Sequence, residues 1–220
     1  MYIGSNPDRF YVPEAGLNWE DAIARKDEDA VRHLFPYYWA SEFTAGDGKL
    51  TADLSCGCGY GSRILAEPLG DELPRVLGID HRPRAIGIAL AQPVALNLRF
   101  VLTSPQPGAL PTALDPVGCL VNMDGDLGAA IMPHYMETIA HVLADQKSVF
   151  ITKAAPYPDC LRFLRRYFVW VLTVTSDEGG FSMFSPMRSM REQLHKAGWM
   201  KPEEIDKLGA DLIYCSGVIK

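Results

Sequence analysis

Residues 53–62 read Asp-Leu-Ser-Cys-Gly-Cys-Gly-Tyr-Gly-Ser, and this stretch decides the fold that we expect for the chain. The apolar run before it predicts a short buried strand at 50–54, and the residues after it predict a helix at 60–68. A glycine-rich turn between a strand and a helix is typical of a nucleotide-type site, because glycine adopts positive φ and lets a ligand approach the bare backbone. The N-terminus of the following helix offers free N–H groups to an anionic group.

The next predicted strand, at 75–80, strengthens this interpretation because it ends in an acid. Asp80 follows Gly59 by 21 residues, with a helix between the two strands. An acid in this position can accept hydrogen bonds from both ribose hydroxyls of an adenosine. A glycine turn and such an acid together are far more specific than either alone. We therefore expect Gly57, Gly59, Gly61 and Asp80 to bind a nucleoside.

The glycine turn resembles the first ligand-binding motif of class I S-adenosylmethionine-dependent methyltransferases, in which an acid-Leu-x-Cys-Gly-x-Gly-x-Gly run recurs. A dinucleotide site would instead show Gly-x-Gly-x-x-Gly without an acid ahead of the glycines. The resemblance implies S-adenosylmethionine as cofactor and S-adenosylhomocysteine as product. It also implies that Asp53 faces the amino group of the ligand and that Ser55 belongs to the cofactor site. A tight glycine turn without a ligand is the alternative.

The composition indicates one globular domain that carries an N-terminal cap. The chain has 220 residues, of which 48% are hydrophobic, and a net charge of −6. This acidic balance disfavours nucleic acid as a partner. No apolar run approaches the roughly 18 residues of a membrane span, and no secretory leader opens the sequence. Five cysteines, an odd number, favour a reducing cytoplasm, and we expect no metal at the Cys56–Cys58 pair, since no second pair stands at ligand spacing.

Residues 1–47 are expected to form an arm followed by a helical cap. The run at 8–14 resembles an Arg-aromatic-x-Pro-Glu segment found ahead of the core in a subgroup of these enzymes, many of which act on sugars or small metabolites. The resemblance makes Tyr11 a lid residue over the ligand, whereas a surface-packed arm is the alternative. Residues 19–44 have helical spacing, and Pro36 should kink or divide them. Tyr38 either reaches the carboxylate of the ligand or packs the cap against the sheet.

Residues 48–220 alternate between strand and helix patterns, which predicts a parallel sheet with helices on both faces. Further strands are predicted at 98–102, 116–124 and 147–153, and helices at 82–91, 129–144 and 185–196. Residues 154–184 are interpreted as an insertion near the mouth of the pocket. Two closing strands, at 202–208 and 211–219, would form a terminal hairpin. The expected fold class is α/β, with a seven-stranded, mostly parallel, doubly wound Rossmann-like sheet.

The catalytic candidates lie after the fourth predicted strand, since open α/β sheets place their sites at the carboxyl ends of the strands. A hydroxyl acceptor needs a base to take its proton, and His134 and Asp124 are the candidates. Asp124 is also counted with the cofactor site. His81 and Ser104 would contact adenine. A divalent ion held by Asn122 and its acidic neighbours is an alternative, but the spacing does not match that of metal-dependent relatives.

The sequence also departs from the resemblance. No acid follows the third strand, and Asp-Gly-Asp stands at 124–126 where relatives often have Glu-His. The expected function is methyl transfer to a small-molecule hydroxyl, of a sugar or secondary metabolite, or to an amine. The alternative is a protein that binds S-adenosylmethionine but has a cyclase-like or regulatory role. A small-molecule substrate and a cytoplasmic location are expected, and a homodimer is left open.

Overall fold

The computed structural model describes residues 19–44, 49–67, 73–103, 117–123, 139, 143, 147–153, 160–173, 192–205 and 212–219. The strands are β1 (Leu50–Leu54), β2 (Arg75–Asp80), β3 (Leu98–Leu102), β4 (Val117–Asn122), β5 (Val149–Lys153), β6 (Phe168–Thr173) and β7 (Leu212–Val218). The helices are α1 (Trp19–Arg25), α2 (Glu28–Ser41), α3 (Tyr60–Leu65), α4 (Pro83–Ala91), α5 (Cys160–Leu164), α6 (192–197) and α7 (Pro202–Ile205).

All seven strands belong to one sheet, in the order β3-β2-β1-β4-β5-β7-β6. The pairs from β3 to β5 are parallel, whereas β7 runs antiparallel to both β5 and β6. The predicted fold class, a seven-stranded and mostly parallel α/β sheet, is thus confirmed. The strand order changes direction between β1 and β4, and in open α/β sheets the crevice beside such a switch point holds the ligand.

Side chains of the central strands alternate between two apolar clusters, as the pleat of a strand requires. Cys119 and Val121 of β4 lie in the cluster that includes the buried faces of α2 and α3. Leu120, between them, lies in the other cluster with Phe150 and Phe168. Those two rings stack with centroids 5.9 Å apart. The site therefore rests on a sheet that is buried on both faces.

The N-terminal helical segment breaks at a different place from the one predicted. Helix α1 ends at Arg25, and Lys26 has a φ of 55°. Asp27 then caps α2, because its side chain accepts a hydrogen bond from the N–H of Ala30 at 2.9 Å. Pro36 lies inside α2 and does not divide it. A left-handed residue followed by a strong N-cap sets the boundary here, and the proline does not.

The predicted terminal hairpin is also wrong in one of its strands. Residues 202–205 form a helix, since Pro202 suits the first turn and a side-chain oxygen of Glu204 accepts the N–H of Lys201 at 3.1 Å. The partner of β7 is β6, which lies in the segment interpreted as an insertion. Its sequence, Phe-Val-Trp-Val-Leu-Thr, is a continuous run of strand-favouring residues.

The remaining predicted elements agree with the structure or lie outside the described residues. Strands β1, β2 and β3 have the predicted bounds, whereas β4 and β5 are shorter than predicted at their ends. The helix predicted at 60–68 ends at Leu65. The helix after β4 lies outside the described residues apart from Ile139 and Leu143, and so does the arm at 1–18. The division at residues 47 and 48 stays a prediction.

Candidate functional site

The turn after β1 is held between β1 and β2 by its own backbone. The N–H of Cys56 donates to the carbonyl of Ile79 on β2, and the N–H of Gly59 donates to the carbonyl of Cys56, both at 3.0 Å. Ser55, Gly57 and Gly59 have φ values of 58°, 59° and 82°. Three left-handed residues in five positions produce a compact bend, and glycine takes two of them because it has no Cβ to clash.

Asp80, at the end of β2, reaches this turn directly. Its Oδ2 accepts the backbone N–H of Gly57 at 2.8 Å, and the residue is only 2% exposed. The turn and the acid, which the sequence places 23 residues apart, therefore meet at the carboxyl edge of the sheet. This is the juxtaposition that the sequence predicted.

Arg82 holds the same carboxylate from the other side. Its backbone N–H and its Nε donate to Oδ1 of Asp80 at 2.8 and 3.0 Å, and a terminal guanidinium nitrogen donates to Oδ2 at 2.8 Å. Burial alone would raise the pKa of Asp80, but the hydrogen bonds and charge of Arg82, with the Gly57 N–H, outweigh it and lower the pKa. Asp80 is a fixed anion at neutral pH.

Asp53, the leading acid of the turn, lies in a different environment. It is fully buried on β1, where Oδ2 accepts the hydroxyl of Ser62 at 2.6 Å and Oδ1 accepts the hydroxyl of Tyr37 at 3.5 Å. Burial, and to a lesser degree the charge of Asp80, raise the pKa of Asp53 to about 7, although both hydroxyls oppose the shift. Asp53 is poised between its two protonation states near neutral pH.

The two later glycines of the turn make room for aromatic rings of the protein. A Cβ on Gly59 would lie 2.5 Å from the ring of Phe100, and one on Gly61 would lie 2.1 Å from the ring of Tyr37. Among the residues that the structure describes, a Cβ on Gly57 would meet only the guanidinium of Arg82, at 3.9 Å. Of the three glycines, Gly57 is therefore the one whose missing side chain leaves space next to the flexible guanidinium of Arg82.

Other predicted site residues are only partly placed by the structure. His81 is exposed, with its Nδ1 3.8 Å from Oδ1 of Asp80. Tyr38 is half-buried and packs against the core cluster, while its neighbour Tyr37 is the tyrosine that reaches Asp53. Tyr11, Ser104, Asp124 and His134 lie outside the described residues.

The end of β4 carries a polar pair at the same edge of the sheet. Asn122 is 2% exposed, and its Nδ2 donates to the hydroxyl of Thr152 on β5 at 3.4 Å. Within the described part of the chain, the Oδ1 of Asn122 has no hydrogen-bond partner. A buried amide oxygen without a donor is costly, so it marks a place where a ligand donor would be stabilising.

The cysteines of the turn are structural in this state. Cys56 and Cys58 are buried, and burial raises the pKa of both thiols. Burial also raises the pKa of Cys119 to about 12. Among the residues that the structure describes, no cluster of three or more His, Cys, Asp or Glu side chains could hold a metal ion.

Three residues of this site were missed at the level of the sequence. Ser62 and Tyr37 bind Asp53, and Arg82 binds Asp80. Neither Ser62 nor Tyr37 carries a sequence signal that marks it as a partner of Asp53. Arg82 carries the clearest signal, since it stands two residues after Asp80 and immediately before Pro83, at the start of a helix.

The sheet order, with its single reversed strand, and the glycine turn at the switch point define the fold of class I S-adenosylmethionine-dependent methyltransferases. Comparison with solved structures supports this assignment. The chain is similar to the N-methyltransferase NodS from Bradyrhizobium japonicum WM9, with 12% identity, coverage of 88% of this chain and 98% of that chain, and a TM-score of 0.54.

Two further solved methyltransferases show the same likeness. The plantazolicin methyltransferase BpumL, solved in complex with S-adenosylhomocysteine, shares 15% identity over 91% of this chain and 88% of its own, with a TM-score of 0.53. The precorrin-6y C5,15-methyltransferase from Geobacter metallireducens GS-15 shares 16% identity over 82% of this chain and 89% of its own, with a TM-score of 0.51. Identities this low establish the fold alone. No protein-family model and no curated protein matches the sequence.

Proposed function

We propose that the chain is an S-adenosylmethionine-dependent methyltransferase that methylates a hydroxyl or an amine of a small molecule. The observation that carries the proposal is the 2.8 Å hydrogen bond between the Gly57 N–H and Asp80 at the switch point of this sheet. That contact brings a bare backbone bend and a ribose-binding acid to one edge. A site built in this way suits an adenosyl ligand.

In the proposed complex, the ligand lies along the turn from ribose to amino acid. Asp80 accepts the ribose hydroxyls, and the backbone from Ser55 to Gly61 follows the homocysteine part. The ammonium group pairs with Oδ1 of Asp53, whose 3.5 Å contact with Tyr37 is long and leaves acceptor capacity. Because Asp53 is fully buried in this state, the pairing requires the Tyr37 ring to shift. His81, Ser104, Tyr11, Tyr38 and Asp124 complete the proposed cofactor site.

The transfer itself is an in-line displacement, for which positioning of the two reactants supplies most of the rate. The sulfonium carries its own driving force, so the acceptor side needs a binding group and, for a hydroxyl, a base. We assign the base to His134, with Asp124 as its partner. The Oδ1 of Asn122, which has no hydrogen-bond partner among the described residues, supports an acceptor that donates an O–H or N–H to the end of β4.

The proposal of a small-molecule acceptor is in keeping with the names of the similar structures, which are an N-methyltransferase, a plantazolicin methyltransferase and a precorrin-6y methyltransferase. None of the described helices has both the length and the apolar character that a membrane span requires. A cytoplasmic location and a homodimer stay proposals. The alternative is an S-adenosylmethionine-binding protein that transfers no methyl group, and the absence of the Glu-His pair after β4 favours it.

The binding half of the proposal is tested by calorimetry with S-adenosylhomocysteine on the wild type, Asp80→Ala and Asp29→Ala. Asp80→Ala removes two hydrogen bonds to a charged acceptor, each worth about 1.5–3 kcal/mol, so we expect the affinity to fall by about 100-fold or more. Asp29 is an exposed acid on α2 and serves as the control. Unchanged affinity in Asp80→Ala would contradict the assignment, provided that its thermal unfolding is still cooperative.

The transfer half is tested separately, by release of S-adenosylhomocysteine across a panel of sugar, phenol and amine acceptors. Product release that depends on one acceptor class supports the methyltransferase. Tight binding of S-adenosylhomocysteine without release on any class would favour the non-methylating alternative.

A further inference from the structure

Arg82 occupies the carboxylate that the proposed ligand needs. Its guanidinium binds Asp80 through two nitrogens, at 3.0 Å to Oδ1 and 2.8 Å to Oδ2. The same guanidinium lies 3.9 Å from the point where a Cβ on Gly57 would stand. It therefore covers both parts of the site, the acid and the open side of the turn.

The hydrogen-bonding capacity of Asp80 is used up in this arrangement. A carboxylate offers about four acceptor positions. Two are taken by the backbone N–H groups of Gly57 and Arg82, and two by the guanidinium of Arg82. A ribose diol must donate two hydrogen bonds to the same oxygens, so the diol and the guanidinium compete for the same positions.

The guanidinium is the partner that can leave. The Asp80 side chain is fully buried, whereas the Arg82 side chain is 22% exposed. The turn and the start of α4 would keep their attachment to Asp80 through the two backbone N–H groups after the guanidinium moved. A released guanidinium would enter water, where it is well solvated, while a released Asp80 carboxylate would have no such route.

We propose that Arg82 is a built-in competitor of the ligand: it closes the site in the free protein, and an adenosyl ligand displaces its guanidinium from Asp80. The inference rests on the proposed function, since it concerns the same pocket. It makes Arg82 a residue that sets affinity without being required for binding. The apparent dissociation constant is the intrinsic one divided by the fraction of molecules in which Asp80 is open.

The test measures S-adenosylhomocysteine binding by calorimetry in the wild type, Arg82→Ser and Arg84→Ser. Serine keeps the backbone N–H and is a preferred residue at the N-cap of a helix, which is the position of Arg82 in α4. If Asp80 is open in about one free molecule in ten, Arg82→Ser should bind about tenfold more tightly. Arg84→Ser, which removes an exposed charge from the same turn of α4, should bind within about twofold of the wild type.

Arg82→Lys provides a second variant in case Arg82→Ser folds poorly. Lysine keeps the charge but loses the planar fork that binds both carboxylate oxygens, so a smaller gain in affinity is expected. Weaker binding in both variants would show that the guanidinium contacts the ligand and would overturn the proposal. Equal binding in all variants would overturn it as well, because the guanidinium would then be irrelevant to the ligand.

Nitrogen-15 spectra of the arginine side chains give a readout independent of affinity. The Nε–H of Arg82, identified by its absence in Arg82→Ser, should be protected from solvent exchange in the free protein and lose that protection on addition of S-adenosylhomocysteine. Retained protection in the saturated complex would overturn the inference while leaving the proposed function intact. If neither the wild type nor Arg82→Ser binds the ligand, the proposed function itself fails.

Discussion

The site contains two buried acids with opposite electrostatic surroundings. The Asp53 cluster consists of Asp53, Ser62 and Tyr37, and its donors are neutral hydroxyls. The Asp80 cluster consists of Asp80, Arg82 and Gly57, and its donors include a guanidinium. The pKa of Asp53 is raised to about 7, whereas that of Asp80 is lowered.

Burial alone does not determine the charge of a carboxyl, and this comparison shows why. Both side chains are almost inaccessible, so desolvation raises the pKa of each. For Asp80 the hydrogen bonds from Arg82, together with its charge and the Gly57 N–H, reverse the result. Neighbouring strands thus supply one permanent anion and one group that can exchange a proton near neutral pH.

The largest expected difference between the clusters is steric. In Gly61→Ala the new Cβ would lie 2.1 Å from the ring of Tyr37, which is 4% exposed, so the variant can fold only if this buried ring shifts. We expect a loss of roughly 2–3 kcal/mol in the free energy of unfolding, measured by urea denaturation. Gly57→Ala meets only the flexible end of Arg82, so it should lose about 1–2 kcal/mol, mainly from its positive φ.

The matched control for these variants is Gly87→Ala. Gly87 lies in α4, and a Cβ there would have no neighbour within 4 Å in the described part of the chain. Helix propensity alone predicts that this change stabilises the protein by about 1 kcal/mol. If Gly61→Ala behaved like Gly87→Ala, the Asp53 cluster would be loosely packed and the proposed shift of Tyr37 would be easy.

A second prediction concerns the pH dependence of the Asp53 cluster. The pKa of Asp53 is higher in the folded state than in the unfolded chain, so the folded state binds more protons between pH 4 and 7. Its contribution to stability therefore falls as the pH rises through that range. Relative to the wild type, Asp53→Asn should gain about 2–3 kcal/mol of unfolding free energy between pH 5 and pH 8.

Asp80→Asn should show the opposite dependence and is the comparison variant. Because the folded-state pKa of Asp80 is lowered, its contribution is present above the unfolded value near 3.8 and is lost as the pH falls through the folded value. Wild type and Asp80→Asn should therefore differ most at neutral pH and converge below pH 4. Parallel stability curves for Asp53→Asn and the wild type from pH 5 to 8 would remove the distinction between the two clusters.

The smallest expected effect is at Ser55, which adopts a φ of 58° without being glycine. A left-handed residue with a Cβ costs about 1–2 kcal/mol, and glycine recovers this at an entropic cost of about 0.5–1 kcal/mol. Ser55→Gly should therefore stabilise the protein by about 0.5–1 kcal/mol in thermal unfolding. Lys26, with a φ of 55°, is the control. A gain in Lys26→Gly alone would mean that the Ser55 side chain makes a compensating contact.

The parts of the fold that the sequence predicted are those that local patterns determine. Strands β1 and β2 follow from an apolar run that ends in a turn or an acid, and their pairing follows from the glycine motif between them. The predicted hairpin is wrong because the strand at Phe168–Thr173 has no polar alternation and lies in the segment interpreted as an insertion. Its place beside β7 depends on contacts across the sheet, which local sequence does not encode.

The site was predictable in its backbone and less so in its side-chain partners. The contact between Gly57 and Asp80 follows from topology alone. Gly57 lies in the turn that follows β1, and Asp80 ends β2, the parallel neighbour of β1. The choice of Tyr37 over Tyr38 depends on the rotation of α2 about its axis, and the two tyrosines are adjacent in sequence. The guanidinium of Arg82 folds back two residues along the chain, and such a rotamer cannot be read from residue types.

The buried thiols described above have a practical consequence. Cys56 and Cys58 lie in the glycine turn, while Cys119 and Cys215 lie on central strands of the sheet, and all four side chains are buried thiols. A disulfide reagent reacts only with an exposed thiolate, so each modification rate reports how often that region opens. The chain therefore carries its own reporters: faster modification at the turn than on the strands would measure the opening of the ligand site without any added label.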